Sequence, residues 1–276
     1  MHPLYGLALA IGGFITGVVT GLSGLGGGIL LVPLLVSTGT TPVQAVATST
    51  FAKLMIAASG SWHNWRSGNL DCQRVITLGL PALVMAQLGV YLVPQVSANV
   101  LLSAFGGLLL VNLYLIKLRR QLMHQEDIKV VQRQPWIVSV GGAIAGSGAG
   151  LLIGLFGVGG GMLLVPLQIL LLGETFEIAV CTSLGVVLLT SMSACISHAF
   201  SETLLLPEGA LIGIAGSVGA QIGARILPKI SGMAVSLSTQ FISVMLSVYV
   251  SWHLLIPINQ HLAKNLLPEH THCPKF

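Results

Sequence analysis

Apolar residues fall in blocks of about twenty, and the short stretches between the blocks hold most of the charges. A helical crossing needs about 20 mostly apolar residues, because the hydrocarbon core is about 30 Å thick. Blocks of that kind cover 4–22, 43–62, 75–93, 97–116, 136–153, 178–200, 208–227 and 234–256. Two further pieces, 29–37 and 162–172, are too short to cross alone. The blocks show no alternation of period two, and they are rich in Leu, Ala and Gly, which disfavours a β-barrel. The pattern predicts an all-α polytopic membrane protein.

Composition agrees. Only 20 of 276 residues are Asp, Glu, Lys or Arg, or 7%, against about 25% in a soluble domain. Apolar residues make up 54% and mean hydropathy is +0.90. A soluble globule could not cover its surface with so few polar groups, and a disordered chain would carry more charge. Twelve basic residues spread over the chain make no patch for nucleic acid. The start, MHPLYGLALAIGGFITG, lacks a basic n-region and reads as a retained membrane segment. Cys72, Cys181, Cys195 and Cys273 form no C-x-x-C and suggest no disulfide framework.

A repeat is the most informative feature. Residues 21–33 read GLSGLGGGILLVP and residues 154–166 read GLFGVGGGMLLVP, with ten of 13 positions identical at an offset of 133. At an offset of 134 the match continues. Gly39 pairs with Gly173, Thr48-Ser49 with Thr182-Ser183, Ser59 with Ser193, Gln87-x-Gly89 with Gln221-x-Gly223, and Pro94 with Pro228. The expected organisation is membrane repeat 1 over 1–118, a linker over 119–135, membrane repeat 2 over 136–257 and a polar tail over 258–276. Each repeat is a Gly-broken re-entrant or short-helix pair followed by three helices. Such repeats are usual in secondary transporters, where paired Gly- or Pro-interrupted segments point to the binding site. The stretch 117–135 holds seven charges, five of them basic, which places it in the cytoplasm. If each short piece turns back as a hairpin, the repeats are inverted, and Arg66, Arg74, Arg225 and Lys229 fall on the cytoplasmic side while Lys264 and Lys275 fall outside. A parallel arrangement reverses both terms. Inversion is favoured because neither short piece can cross.

Gly24, Gly26, Gly27 and Gly28 each weaken a helix by about 1 kcal/mol relative to alanine. Freed backbone groups in lipid need a protein or water-lined surrounding. A helix restarting after the break points its N–H groups and positive dipole end back at it. Two such ends facing one cavity, from Gly26–Gly28 and Gly159–Gly161, would bind an anion. Close helix packing of small residues is the plainer explanation.

The paired G-L-x-G-x-G-G-G-x-L-L-V-P motifs, each followed by a Thr-Ser helix, resemble the TauE/SafE family of sulfite and organosulfonate exporters, also known as the toluene-sulfonate uptake permease family. The resemblance spans roughly 5–255, and Asn64–Asp71 (N-W-x-x-G-N-x-D) also resembles the family pattern. Half two departs there, reading His198-Ala-Phe-Ser-Glu-Thr. Membership implies a permease for small sulfur-containing or carboxylated anions in a bacterial inner membrane, and leaves the substrate open.

Polar residues inside the blocks complete the candidate site. Lys53 sits about ten residues into its block, where a charge is expensive and should face a cavity or a partner. It would attract an anion, snorkel, or stay a neutral amine. Half two has Val187 there. The hydroxyls of Thr48, Ser49, Thr182 and Ser183 would cap helix starts or donate to substrate oxygens. Gln87 and Gln221 would touch a ligand or bridge helices. Asn112 reads as a helix contact, and His63 and His198 fall one residue apart in the repeat. No mid-membrane carboxylate relay, cofactor motif or metal set is recognised; the tail HTHCPKF offers two His and a Cys with no further ligands.

The leading expectation is thus a secondary transporter of a small anion, not an enzyme, whose partners are that anion, the bilayer and, as an open option, a second copy in a homodimer. A passive anion channel is the alternative. A rival from another class is an intramembrane serine protease, since Gly21-Leu22-Ser23-Gly24 resembles a rhomboid nucleophile loop and His198 could be its base. The repeat argues against it, because Phe156 stands where Ser23 stands in half one.

Overall fold

The computed structural model describes residues 3–97, 135–157, 161–200 and 204–229, with scattered positions between 100 and 114. The block 234–256, most of the linker, Asn112, the tail, Gly159 and Gly160 lie outside the described residues. Every regular element among the described residues is helical: α1 (Pro3–Ser23), α2 (Gly28–Ser37), α3 (Pro42–Arg66), α4 (Cys72–Leu92), α5 (Pro135–Phe156), α6 (Gly161–Leu167), α7 (Phe176–Phe200) and α8 (Leu206–Ile226). A π-helical turn, Gln168–Leu172, prolongs α6. Short 3-10 turns, Val93–Gln95 and Leu227–Lys229, end α4 and α8 alike.

Local chemistry sets the boundaries. Thr41 opens α3 with a capping box: its Oγ1 accepts the Gln44 N–H at 3.4 Å, and Gln44 Oε1 accepts the Thr41 N–H at 3.3 Å. Asp71 caps α4, accepting the N–H groups of Gln73 and Arg74 at 3.0 and 3.3 Å. Asn64–Asp71 is therefore the end of one helix and the cap of the next. No side chain of its own caps α8. There, Leu205 N–H donates across the molecule to Thr48 Oγ1 at 3.2 Å.

Two seams join the halves reciprocally. In one, Gly13, Gly17 and Gly21 of α1 meet Ile212, Gly216 and Ala220 of α8. In the other, Gly146, Gly150 and Gly154 of α5 meet Leu78, Ala82 and Ala86 of α4. A methyl group on Gly17 would overlap the Gly216 carbonyl, and one on Gly150 the Ala82 carbonyl. Only backbones without side chains can approach so closely.

These contacts also give directions. α1 runs beside α8 in the same sense, and so does α3, with Phe51 at Gly209 and Met55 at Gly213. α4 runs parallel to α5, and to α7, with Val75 at Gly185 and Leu189 at Gly79. α3 and α7 cross in opposite senses: Gly60 meets Leu184, Ala57 shares a cluster with Val187, and the chain leaving α7 reaches Thr48 near the α3 start. α1, α3 and α8 therefore run one way, and α4, α5 and α7 the other. α2 folds back along α1, placing Leu34 beside Gly12, and Gly27 beside Thr16 and Thr20.

Among the described residues, α1, α4, α7 and α8 contain segments long and apolar enough to cross a membrane. Leu7, Ile11 and Ile15, Leu80, Val84 and Leu88, and Ile214 and Val218 are exposed at intervals of four, giving lipid-facing stripes. The 25 residues of α3 reach about 37 Å. Its hydropathy is lower because Thr48, Ser49, Thr50, Lys53, Ser61 and Asn64 are buried on it.

Candidate functional site

The two glycine breaks come together. α1 and α5 run in opposite senses, so the breaks at their ends arrive from opposite faces of the bundle. Gly161, which opens α6, lies directly against the Gly24 carbonyl and Leu25 Cα. Gly24, Gly26 and Gly27 have φ of 67°, 78° and 71°, and Gly157 has 60°. L side chains rarely adopt that region. The α2 start has no side-chain cap, and Gly28 is buried. The first-turn N–H groups of α2 thus belong to a helix that begins inside the protein.

Each break is held by the opposite half. Ser183 Oγ donates to Val180 O at 2.9 Å and lies 3.1 Å from Gly24 O. Ser49 Oγ donates to Val46 O at 2.9 Å, and Gly157 packs on both residues. Thr48 takes the Leu205 N–H. Thr182 is buried and its Oγ1 has no partner.

Lys53 is 0% exposed and its Nζ has no hydrogen-bond partner among the described residues. Ser61 and Asn64 follow it on the inner face of α3, and each carries an unpartnered polar atom. On α7 the same holds for Ser191 Oγ and for His198 Nε2, and on the π-helical turn for both amide atoms of Gln168. Reading residues one by one passed over Ser61, Asn64, Gln168 and Ser191. The repeat offset would have found one pair, since Asn64 and His198 stand 134 apart and occupy the same position.

Three expected site residues lie elsewhere or are engaged. The Gln87 amide donates to Ser193 O at 2.9 Å and to Ser193 Oγ, and accepts from Ser197 Oγ at 2.5 Å. It clamps α4 to α7. Gln221 is exposed on α8. Ser23 Oγ donates to its own helix, at Val19 O, 2.6 Å away, so the hydroxyl is not presented to a base.

Most described charges gather at one end, where α3 stops and α4 and α7 begin, while Glu208 lies at the start of α8. Arg74 pairs with Asp71 at 3.0 Å and with Glu174 at 2.9 Å. Asn69 Nδ2 donates to Glu177 at 3.3 Å. Burial holds the Glu174 carboxyl above its ordinary pKa, against the pull of Arg74, and Asp71 adds to the rise. Among the described residues, no group of three or more His, Cys, Asp or Glu is placed to hold a metal ion.

The sequence profile of the family described as sulfite exporter TauE/SafE matches residues 9–252. This chain belongs to the TauE/SafE family. A probable membrane transporter protein, YunE of Bacillus subtilis (strain 168), is 30% identical over 247 residues, covering 80% of this chain and 89% of that protein. Another, MJ0441 of Methanocaldococcus jannaschii, is 28% identical over 244 residues, covering 81% of this chain and 86% of its own length. A third, from Xylella fastidiosa (strain 9a5c), is 28% identical over 253 residues, covering 89% and 95%. No solved structure matches the chain significantly. As a TauE/SafE protein with several apolar crossings, the chain is a multi-pass integral membrane protein of a transporter family. The protease reading finds no support in these relatives.

Proposed function

We propose that this TauE/SafE protein is a secondary transporter of small anions, sulfite, sulfonates or related sulfur-containing or carboxylate anions. The substrate rests where the two glycine breaks meet, near the crossing of α3 and α7. The observation that carries this reading is the contact of Gly161, which opens α6, with Gly24 and Leu25 in the break between α1 and α2, which brings the two glycine breaks to one interior point. Helix N-termini favour anions. Lys53 adds a buried amine and Thr182 a buried hydroxyl, both without a hydrogen-bond partner among the described residues. Gln87 and Gln221 are left out of this site, because one is engaged and the other faces outward.

The halves act as an inverted repeat over 1–118 and 136–257. Opposed helix directions and the reciprocal seams support it. Rocking of one half against the other would expose the site to each face in turn. The end bearing Arg66, Arg74 and Arg225 faces the cytoplasm of the plasma membrane, as an excess of basic residues requires.

Flux of sulfite, thiosulfate, ethanesulfonate and acetate into proteoliposomes tests the proposal. The wild type should show saturable flux with counterflow for at least one of them. Lys53→Met and Gly27→Leu should abolish it while the protein still inserts. Unchanged flux in both variants would remove the breaks and Lys53 from the mechanism.

A further inference from the structure

The crossing of α3 and α7 is polar in a lopsided way. Lys53 on α3 and His198 on α7 are 0% and 3% exposed, and among the described residues neither Lys53 Nζ nor His198 Nε2 has a hydrogen-bond partner. Helix direction turns them toward one another. Side chains lean toward the N-terminus of their own helix, so Lys53 leans toward the start of α3. That is where α7 ends, as the bond from Leu205 to Thr48 shows. The repeat-related positions carry Val187 in place of Lys53 and Asn64 in place of His198. One side of the crossing therefore holds an amine and an imidazole, and the other a valine and an amide.

No carboxylate is paired with Lys53 in the described salt bridges, and Glu174 is engaged with Arg74 at the opposite end of α3. A buried amine with no partner is costly, and more so when it is charged. A small anion is the group that satisfies both nitrogens at once. We propose that His198 is a substrate-contacting residue, which shares one end of the bound anion with Lys53 and sets the site off centre, toward the face where α3 begins and α7 ends. This rests on the transport reading above and names residues of the same site. Two nitrogens from different helices suit an oxyanion, whose separate oxygens can each take one donor, better than a halide.

The test is the affinity of the purified full chain for sulfite, methanesulfonate, acetate and chloride by isothermal titration calorimetry. At least one oxyanion should bind more tightly than chloride. Lys53→Met and His198→Leu should each weaken that oxyanion by about tenfold, the worth of one good hydrogen bond to a charged group. His198→Gln keeps an N–H donor and should recover most of the loss. The double variant Lys53→Met/His198→Leu should fall short of the product of the single effects, because the two groups hold one ligand. Gln221→Leu, exposed on α8 and outside the site, should stay within about twofold of wild type. Wild-type affinity in His198→Leu overturns the proposal, as does a loss that His198→Gln does not recover. If Lys53→Met weakens binding and His198→Leu does not, only this inference falls. If none of the anions binds the wild type, the transport reading falls and takes this one with it.

Discussion

The outer seams and the central crossing follow opposite rules. At the seams the halves correspond: α1 meets α8 as α5 meets α4, with Gly13, Gly17 and Gly21 matched by Gly146, Gly150 and Gly154. At the crossing they differ, with Lys53 against Val187 and His198 against Asn64. A seam made of backbone contacts admits almost no variation, because any Cβ meets a carbonyl. A crossing lined by side chains can be changed on one side without moving a backbone. Symmetry is thus retained where packing demands it, and broken where the proposed site lies.

The largest effect should come from forcing the crossing to be symmetric. Val187 is fully buried with Ala57 and Ile153. Val187→Lys puts a second uncompensated charge there and should destabilise the protein by at least about 2.5–3.5 kcal/mol. A melting temperature in detergent close to wild type would mean that half two offers the same polar surroundings as half one.

Next come the seams. Gly17→Ala and Gly150→Ala should each cost about 1–3 kcal/mol, because a backbone must shift. Gly148 on α5 faces open space, and Gly148→Ala should be neutral or stabilise by up to about 1 kcal/mol. Equal losses at 17 and 150 in thermal unfolding would sustain the reciprocity, and a loss at one alone would break it.

A smaller contrast concerns the serines that hold the breaks. Ser183→Ala removes a hydroxyl that lies at the Gly24 carbonyl as well as in its own helix, and should cost about 1 kcal/mol. Ser49→Ala removes a bond within its own helix and should cost less. The reverse order in thermal melts would mean that Gly24 does not depend on half two.

The smallest effect is one of pH at the charged end. The folded pKa of Glu174 lies above its unfolded value. Its contribution is therefore most favourable below the unfolded carboxylate value of about 4.3 and shrinks as pH rises through the folded value. Glu174→Gln should flatten that part of the stability profile. An unchanged slope between about pH 4 and 7 would show that Arg74 offsets the burial entirely.

Much of the fold was legible because the membrane simplifies the code: a span must be long, apolar and helical. The blocks 4–22, 75–93, 178–200 and 208–227 reappear as α1, α4, α7 and α8 within a few residues. Glycine clusters announced the breaks, because no other residue tolerates that backbone. The short piece 162–172 reads as one apolar run, yet it is a brief helix passing into a π turn. Asn64–Asp71, which resembles the family pattern, forms the end of α3 and the cap of α4.

The sequence by itself determined that the chain is helical, embedded in lipid, broken by glycine at two related places and a member of its family, because apolar length, backbone strain and the repeat are all local or linear properties. Only the tertiary structure decided that the breaks touch, that Gln87 clamps a neighbouring helix while Gln221 faces outward, and that Lys53 and His198 are both buried. Those depend on which face of each helix meets which neighbour. With so little hydropathy contrast around an α-helix in lipid, the faces are set by where glycines let backbones approach, and that is known only once both partners are in place.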